Sequence, residues 1–470
     1  MTSKNARNLL KELHPYVLLL PISVNEKIKY ITSLFSSPVT IEVLRLFEWN
    51  MELCQKDIIV KLKQHSNKTI INSVRKLISL NLLEEKEREE YRNNRRVRVK
   101  CYKLTDIGKW YNILFKDVNE LSRELIEEAV TNLSKMFMAK ILAFSEYLSM
   151  GFTDFMSQVL SSTIRSVAES KKHNKYDLLV FGSLALDVYL KPYIRLTSGG
   201  TGANVAVFAS KLGLKTGLVS RVPANAIGSY MLAELINDGV DVSLVELIQG
   251  LETPVCIILE PLEPTRIQCT YDPRADLTSL PVIYQVKDEV VQASMVSKSI
   301  YLGEGICKTY LDLLGKISLK DKILVFRPHK IAVEYYFEEC LPILDYSPIL
   351  ILNEEKEQVL LHKGIHVPED LFKTGVREII VTKGSQGVIL YVKGEKPRKY
   401  TPPKVNTVNT VGAGDVFSAS LIYYLLKGNS IEEAVKKSVY LSAISTTQLT
   451  SRKRLPEVDK SILSNQFNYR

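Results

Sequence analysis

Hydrophobic positions in the first hundred residues recur at helical spacing. Val39, Val43, Leu44, Leu46 and Phe47 form one stripe, with Ser37 as N-cap and Pro38 at the first helical position. Ile58, Ile59 and Leu62 mark a second short helix near residues 55–63. Ile70, Ile71, Val74, Leu77 and Ile78 mark a third, after His65-Ser66-Asn67. Two extended runs then flank Asn93-Asn94, the second alternating at Val97, Val99 and Cys101. The pattern predicts three helices and a hairpin over residues 30–110.

Residues 111–172 read as a helical connector. From Asp117 to Lys171 there is no proline and Gly151 is the only glycine. Val118, Leu121, Leu125, Ala129, Leu133, Met136 and Ile141 fall mostly at three- and four-residue steps, which makes an amphipathic stripe. Such a stripe serves either a homodimer seam or packing within its own chain. The polar run ESKKHNK, 169–175, reads as a linker.

The register changes at Tyr176, and residues 176–465 form the second domain. YDLLVFGSLALDVYL is a buried strand, a turn and then Asp187. Gly199, Gly200 and Gly202 open a helix holding Asn204, Val205, Val207 and Leu212, and Gly213 ends it. Strand and helix patterns then alternate, which predicts an α/β domain with a mostly parallel sheet and ligands at its C-terminal strand ends. In NTVGAGDVF, 409–417, Gly412 and Gly414 let backbone N–H groups converge at a helix start, a ready anion site. Asp415 in that first turn is either a macrodipole-favoured helix acid or a base for a hydroxyl attacking phosphate.

Composition narrows the class. At 470 residues the chain exceeds one usual core, so two or more domains are expected. A net charge of +10 favours a polyanionic partner. The six cysteines are scattered without CxxC or metal-like spacing and read as reduced thiols of a cytoplasmic protein. No apolar run has membrane-spanning length, and YVLLLPISV carries a proline and no cleavage signature.

Three helices followed by a hairpin, closed by YKLTDIGK, resemble a winged helix-turn-helix domain. The resemblance implies double-stranded DNA as partner. The third helix would offer Lys68, Asn72 and Arg75 to the major groove, and the wing would lay Arg92, Arg95, Arg96 and Arg98 along phosphates. The same charge run also reads as a solvated face.

GSLALD, SGGTGANVAV, LNEE, VTKGSQG and NTVGAGD, in that order, resemble the ribokinase-like (PfkB) sugar and nucleoside kinases from Tyr176 to about Val458. That family implies a small β lid and the cofactors ATP and Mg2+. By resemblance Asp415 is the catalytic base, with Gly412, Ala413 and Gly414 as anion hole. Asp187, Gly199, Gly200 and Asn204 bind the sugar or nucleoside. Asn353 and the segment with Thr382, Gly384, Ser385 and Gly387 hold ATP. The sequence departs from the family at Ala185, Thr201, Asn225 (after Pro223) and Lys356, the last replacing a glutamate that organises magnesium. Phe326-Arg327-Pro328 stands where an aspartate-proline pair is common, and Asn409 where many members have aspartate. Two functions are therefore expected as alternatives: a kinase fused to a DNA-binding domain, or a ligand-sensing transcriptional regulator with little turnover.

Overall fold

The computed structural model describes residues 24–447 except 36, 50, 93–94, 117–120, 148–150, 191–193, 260–265, 270–281 and 284. The chain divides into two compact units, Met1–Met150 and Gly151–Arg470.

The first unit contains α1 (Val24–Phe35), α2 (Pro38–Arg45), β1 (Leu53–Cys54), α3 (Gln55–Lys61) and α4 (Asn67–Ser79). The hairpin strands β2 (Leu83–Arg92) and β3 (Arg95–Leu104) follow, then α5 (Asp106–Leu114) and α6 (Arg123–Tyr147). Ser37 occupies the N-cap of α2 without a side-chain bond, and the fixed φ of Pro38 starts the helix. Ser66 caps α4 by accepting the Thr69 N–H at 3.2 Å. Val43, Leu44, Phe47, Ile58, Ile70, Val74 and Leu77 close one core under β2 and β3. Asn112 is buried within it and donates to the Leu44 and Phe47 carbonyls.

The second unit opens with α7 (Phe152–Ser170). Strands β4 (Leu178–Phe181), β5 (Ala185–Tyr189) and β6 (Arg195–Gly199) lead into α8 (Thr201–Lys211). Next come β7 (Thr216–Pro223), α9 (Ala226–Asn237), β8 (Val245–Ile248), β9 (Val255–Leu259) and β10 (Arg266–Cys269). They are followed by α10 (Asp288–Val296), β11 (Ser299–Leu302), α11 (Cys307–Leu314), β12 (Ile323–Phe326), α12 (Lys330–Tyr335) and α13 (Phe337–Cys340). The last are β13 (Ile349–Asn353), α14 (Glu354–His362), β14 (Glu378–Thr382), β15 (Val388–Val392), β16 (Arg398–Tyr400), α15 (Ala413–Leu426) and α16 (Ile431–Ser445).

The main sheet runs β16-β15-β14-β13-β12-β11-β4-β7-β8, parallel except at β14–β15 and β15–β16. Its central strands are apolar on both faces because helices cover both sides. In β4, Leu178 and Val180 join the core shared with α8, α9, α15 and α16. Leu179 and Phe181 point the other way, into the core shared with α10, α11 and α14. A second, four-stranded sheet, β10-β9-β5-β6, lies apart from the main one in strand order.

Three expectations need correction. The connector is two helices rather than one element, and the unit boundary falls between them. Gly151 is the N-cap of α7, which packs on α9: Ser157 accepts the Ala226 N–H, and Ser161 bonds Ser229. The linker reading of 169–175 also fails in part, because α7 runs to Ser170 and the His173 N–H donates to Asp241. Asp187 follows the turn after β4 and lies in the middle of β5. The cysteines are not free thiols: Cys54 is bonded to Cys101 and Cys307 to Cys340. Spacing could not show this, since Cys54 and Cys101 are 47 residues apart and meet only when β1 pairs with β3.

Candidate active site

The site is assembled at the C-terminal ends of β4, β11, β12 and β13 and at the first turns of α8, α14 and α15. Gly412 is the N-cap of α15, with φ at +80°, a backbone region where a side chain would be strained. The loop before it is pinned. Asn409 accepts the Val411 N–H at 2.7 Å, and the Val408 and Asn409 amides both donate to the Thr446 carbonyl. Ser442 donates to the Ala413 carbonyl at 2.8 Å. This scaffold holds Asp415, 7% exposed, in the first turn of α15.

Both carboxylate oxygens of Asp415 are engaged. Asn204 Nδ2, in the first turn of α8, donates to Oδ2 at 3.0 Å. Arg327 Nη1, just beyond β12, donates to Oδ1 at 2.7 Å. The guanidinium also covers Gly414: a Cβ there would stand 2.5 Å from Arg327 Nη2. So the predicted base and one anion-hole glycine share a cation that sequence reading marked only as a departure from the family. The buried Asn204 Oδ1 has no hydrogen-bond partner.

Around this pair lies a second tier. The Tyr301 phenol is buried beside Arg327. Burial works against the guanidinium's charge, but Tyr301 and Asp415 outweigh it and hold Arg327 above its ordinary range. Glu304 accepts from Thr201 Oγ1 at 3.1 Å and pairs with His329 at 3.3 Å through the same oxygen, Oε1. Its buried Oε2 has no partner. Lys356, in the first turn of α14, is 7% exposed. Burial and the like charge of Arg327 push its ammonium down to about 7, against partial compensation from Glu304, Asp415 and Glu355. Sequence reading did not single out Tyr301 or Glu304, because nothing in LGEG distinguishes a site acid from a turn residue.

On the substrate side, Asp187 is buried in β5 and leans across the neighbouring β6: a Cβ on Gly199 would fall 2.0 Å from its Oδ2. That close approach is why glycine is needed at 199. Gly200, at φ +90°, is the N-cap of α8. Asn225, at a position where the family carries aspartate, does a cap's work by accepting the Gly228 N–H at 2.8 Å.

On the nucleotide side, Asn353 Oδ1 caps α14 by accepting the Lys356 N–H at 3.1 Å. Asn353 is paired in register with Thr382, whose strand leads into the turn containing Gly384, Ser385 and Gly387. Glu355 is paired with Lys330 at 2.6 Å and Glu357 with Lys383 at 2.7 Å. The acids flanking Lys356 are thus held by lysines. Among the described residues, no group of three or more His, Cys, Asp or Glu could hold a metal. Cations at 327 and 356 do not fit a divalent ion at this place.

In the first unit, Lys68, Asn72 and Arg75 share the exposed face of α4. On the hairpin Arg96 pairs with Glu89 at 3.2 Å and Arg98 with Glu87 at 3.9 Å, so these arginines are part of a cross-strand charge ladder. The side chains of Arg92 and Arg95 lie outside the described residues.

Residues 175–457 match the family model of the pfkB family carbohydrate kinases, and the chain belongs to that family. It is 25% identical over 315 residues to a 5-dehydro-2-deoxygluconokinase of Bacillus licheniformis, spanning 61% of this chain and 95% of that one. It is 24% identical to a ribokinase of Haemophilus influenzae, over 59% of this chain and 95% of the relative. Among solved structures it is similar to the Arabidopsis thaliana ribokinase complexed with ribose and ATP. The TM-score is 0.51 at 20% identity, covering 62% of this chain and 98% of that one. The Methanocaldococcus jannaschii nucleoside kinase matches with a TM-score of 0.51 at 21% identity, over 62% of this chain and all of that one. These structural likenesses establish a ribokinase-like fold. No described helix is long and apolar enough to cross a membrane.

Proposed function

We propose that this chain is an ATP-dependent kinase of a sugar or nucleoside hydroxyl, joined to a winged-helix unit that reads duplex DNA. The observation carrying the kinase reading is the buried Asp415–Asn204 pair between the first turns of two helices. Both helix N-termini favour negative charge there. The unpartnered Asn204 Oδ1 is an acceptor suited to a substrate hydroxyl. Asp187 and Gly199 form the binding wall, and the turn at 382–387 with Asn353 receives the nucleotide.

In the reaction, the hydroxyl oxygen bonds to the terminal phosphorus as the bond to the leaving ADP oxygen breaks. Asp415 takes the hydroxyl proton, and the first-turn amides of α15 steady the transferred group. Asp415→Asn is expected to lower substrate-dependent ADP release by about 10²–10⁴-fold. ATP affinity should not fall. A panel of pentoses, hexoses and nucleosides giving no turnover above that variant would overturn the reading.

The Arg327–Asp415 bond favours a second reading, a ligand sensor with little turnover, because the base is already occupied. A thermal-shift screen that finds a sugar or nucleoside ligand with no ADP release would select it.

The DNA reading is supported by the order of helices and hairpin and by the cationic face of α4. On the full chain, Lys68→Ala with Arg75→Ala is expected to weaken duplex binding and flatten its salt slope by about 2. Unchanged binding would remove the proposal. Val130, Met138 and Leu142 leave exposed apolar positions on α6 that suit a homodimer over two half-sites. Analytical ultracentrifugation tests this directly.

A further inference from the structure

Arg327 and Lys356 follow adjacent parallel strands, β12 and β13; Arg327 bonds Asp415 at the N-terminus of α15, where the proposed phosphoryl transfer takes place, and Lys356 is near enough to feel both charges. Burying a cation away from water is costly unless an anion meets it. Arg327 has Asp415 as its partner. Lys356 does not: among the described residues its ammonium makes no hydrogen bond or ion pair, though the residue is only 7% exposed. Its surroundings are the Arg327 charge, which repels it, and Glu304, Asp415 and Glu355, which attract it without contact. The neighbouring carboxylates that could have neutralised it are spent elsewhere, Glu355 on Lys330 and Glu357 on Lys383. An unpartnered buried ammonium beside a helix N-terminus and a guanidinium is a receptor for an anion.

We infer that Lys356, with Arg327, binds the terminal phosphate of a nucleoside triphosphate directly and does so without a divalent cation. This rests on the kinase reading for the identity of the anion. The fixed cations occupy the place where a bound metal would otherwise offset phosphate charge, and a metal there would meet like charge from both. The terminal phosphate also competes with Asp415 for the Arg327 guanidinium, so nucleotide binding loosens the bond that occupies the base.

The test is ATP binding by calorimetry on the full chain, in magnesium and in EDTA. The dissociation constants are expected to agree within about threefold, and Lys356→Met is expected to weaken ATP by about tenfold or more in EDTA. Lys356→Arg, which keeps the charge, should retain most of the affinity. AMP, which lacks the terminal phosphates, should lose less than about twofold on Lys356→Met. Because Lys356 holds its proton weakly in the free protein, ATP binding near pH 8 should take up a proton, and this uptake should vanish in Lys356→Met. ATP that binds in magnesium but is about tenfold weaker in EDTA overturns the inference and leaves the kinase reading standing. ATP binding untouched by Lys356→Met, or an equal loss for AMP, overturns it as well. A wild-type chain that binds no ATP under either condition removes the kinase reading and the inference together. Lys356→Met relieves a buried charge, so its folding is not at risk.

Discussion

Lys356 sits in the first turn of α14, just beyond β13, and its burial has a price in stability. In the unfolded chain its ammonium keeps a proton to its ordinary value of 10.5, whereas in the folded chain it is pushed down to about 7. Below the folded value both states are protonated and the full penalty is present. Between the two values the unfolded chain binds more protons, so stability rises with pH, and the gain is complete above the unfolded value. We expect a rise on the order of a few kcal/mol between about pH 7 and about pH 10. Lys356→Met should flatten it. Urea unfolding of both proteins across that range measures the difference, and parallel profiles would show that the ammonium is not held as described. The identities of Lys356 and Arg327 were visible in the sequence as departures from a family pattern. Their consequence was not, because it depends on Arg327 reaching Asp415, 88 residues away.

Elements show the same division. The helix starts at Ser37-Pro38 and Ser66 were legible from local chemistry, since a cap is a contact within one turn. Asn353 is a subtler case: the family resemblance offers it to the nucleotide, and its side chain also caps α14. Asn353→Ala is expected to cost about 1 kcal/mol of stability, read by chemical denaturation, beyond any loss of nucleotide affinity. A loss of affinity with no loss of stability would contradict the cap. The α6–α7 region misled the pattern because one apolar stripe fits any neighbour. Ala168, with Ile164 and Val167 beside it, packs into the core of the second unit, whereas Arg123–Tyr147 belongs to the first. On the β2–β3 hairpin, the run EEKEREEYRNNRRVRVK reads either as arginines for phosphates or as a solvated face. Register sets Glu89 opposite Arg98 and Glu87 opposite Lys100, so much of that charge is balanced within the hairpin itself.

For the whole molecule, the two described disulfides staple distant segments in both units. Cys307–Cys340 closes a loop between α11 and α13, with Cys307 5% exposed and Cys340 fully buried. Replacing both by alanine should lower stability by about 2–4 kcal/mol, the loop-entropy range for a closure of this length. A thermal midpoint equal to that of the wild type under non-reducing conditions would show that the bond is not formed in solution. Should the chain couple metabolite to transcription, the sugar or nucleoside that raises its thermal midpoint must also change duplex affinity by the reciprocal factor. Duplex binding with and without that ligand reads the coupling.

The sequence by itself determined the alternating α/β body, the helical pattern with its hairpin in front, and Asp415 at the start of a glycine-led helix. Each of these is written in local periodicity or in motif order, where neighbours along the chain carry the information. Only the tertiary structure decided which cysteines meet, which unit each half of the connector joins, and that a guanidinium and a buried ammonium surround the candidate base. Those outcomes depend on strand order and long-range packing, which bring together residues whose side chains carry no sign of one another in the linear chain. NTVGAGD reads as a ready anion site at a helix start, and folding sets Arg327 against its aspartate.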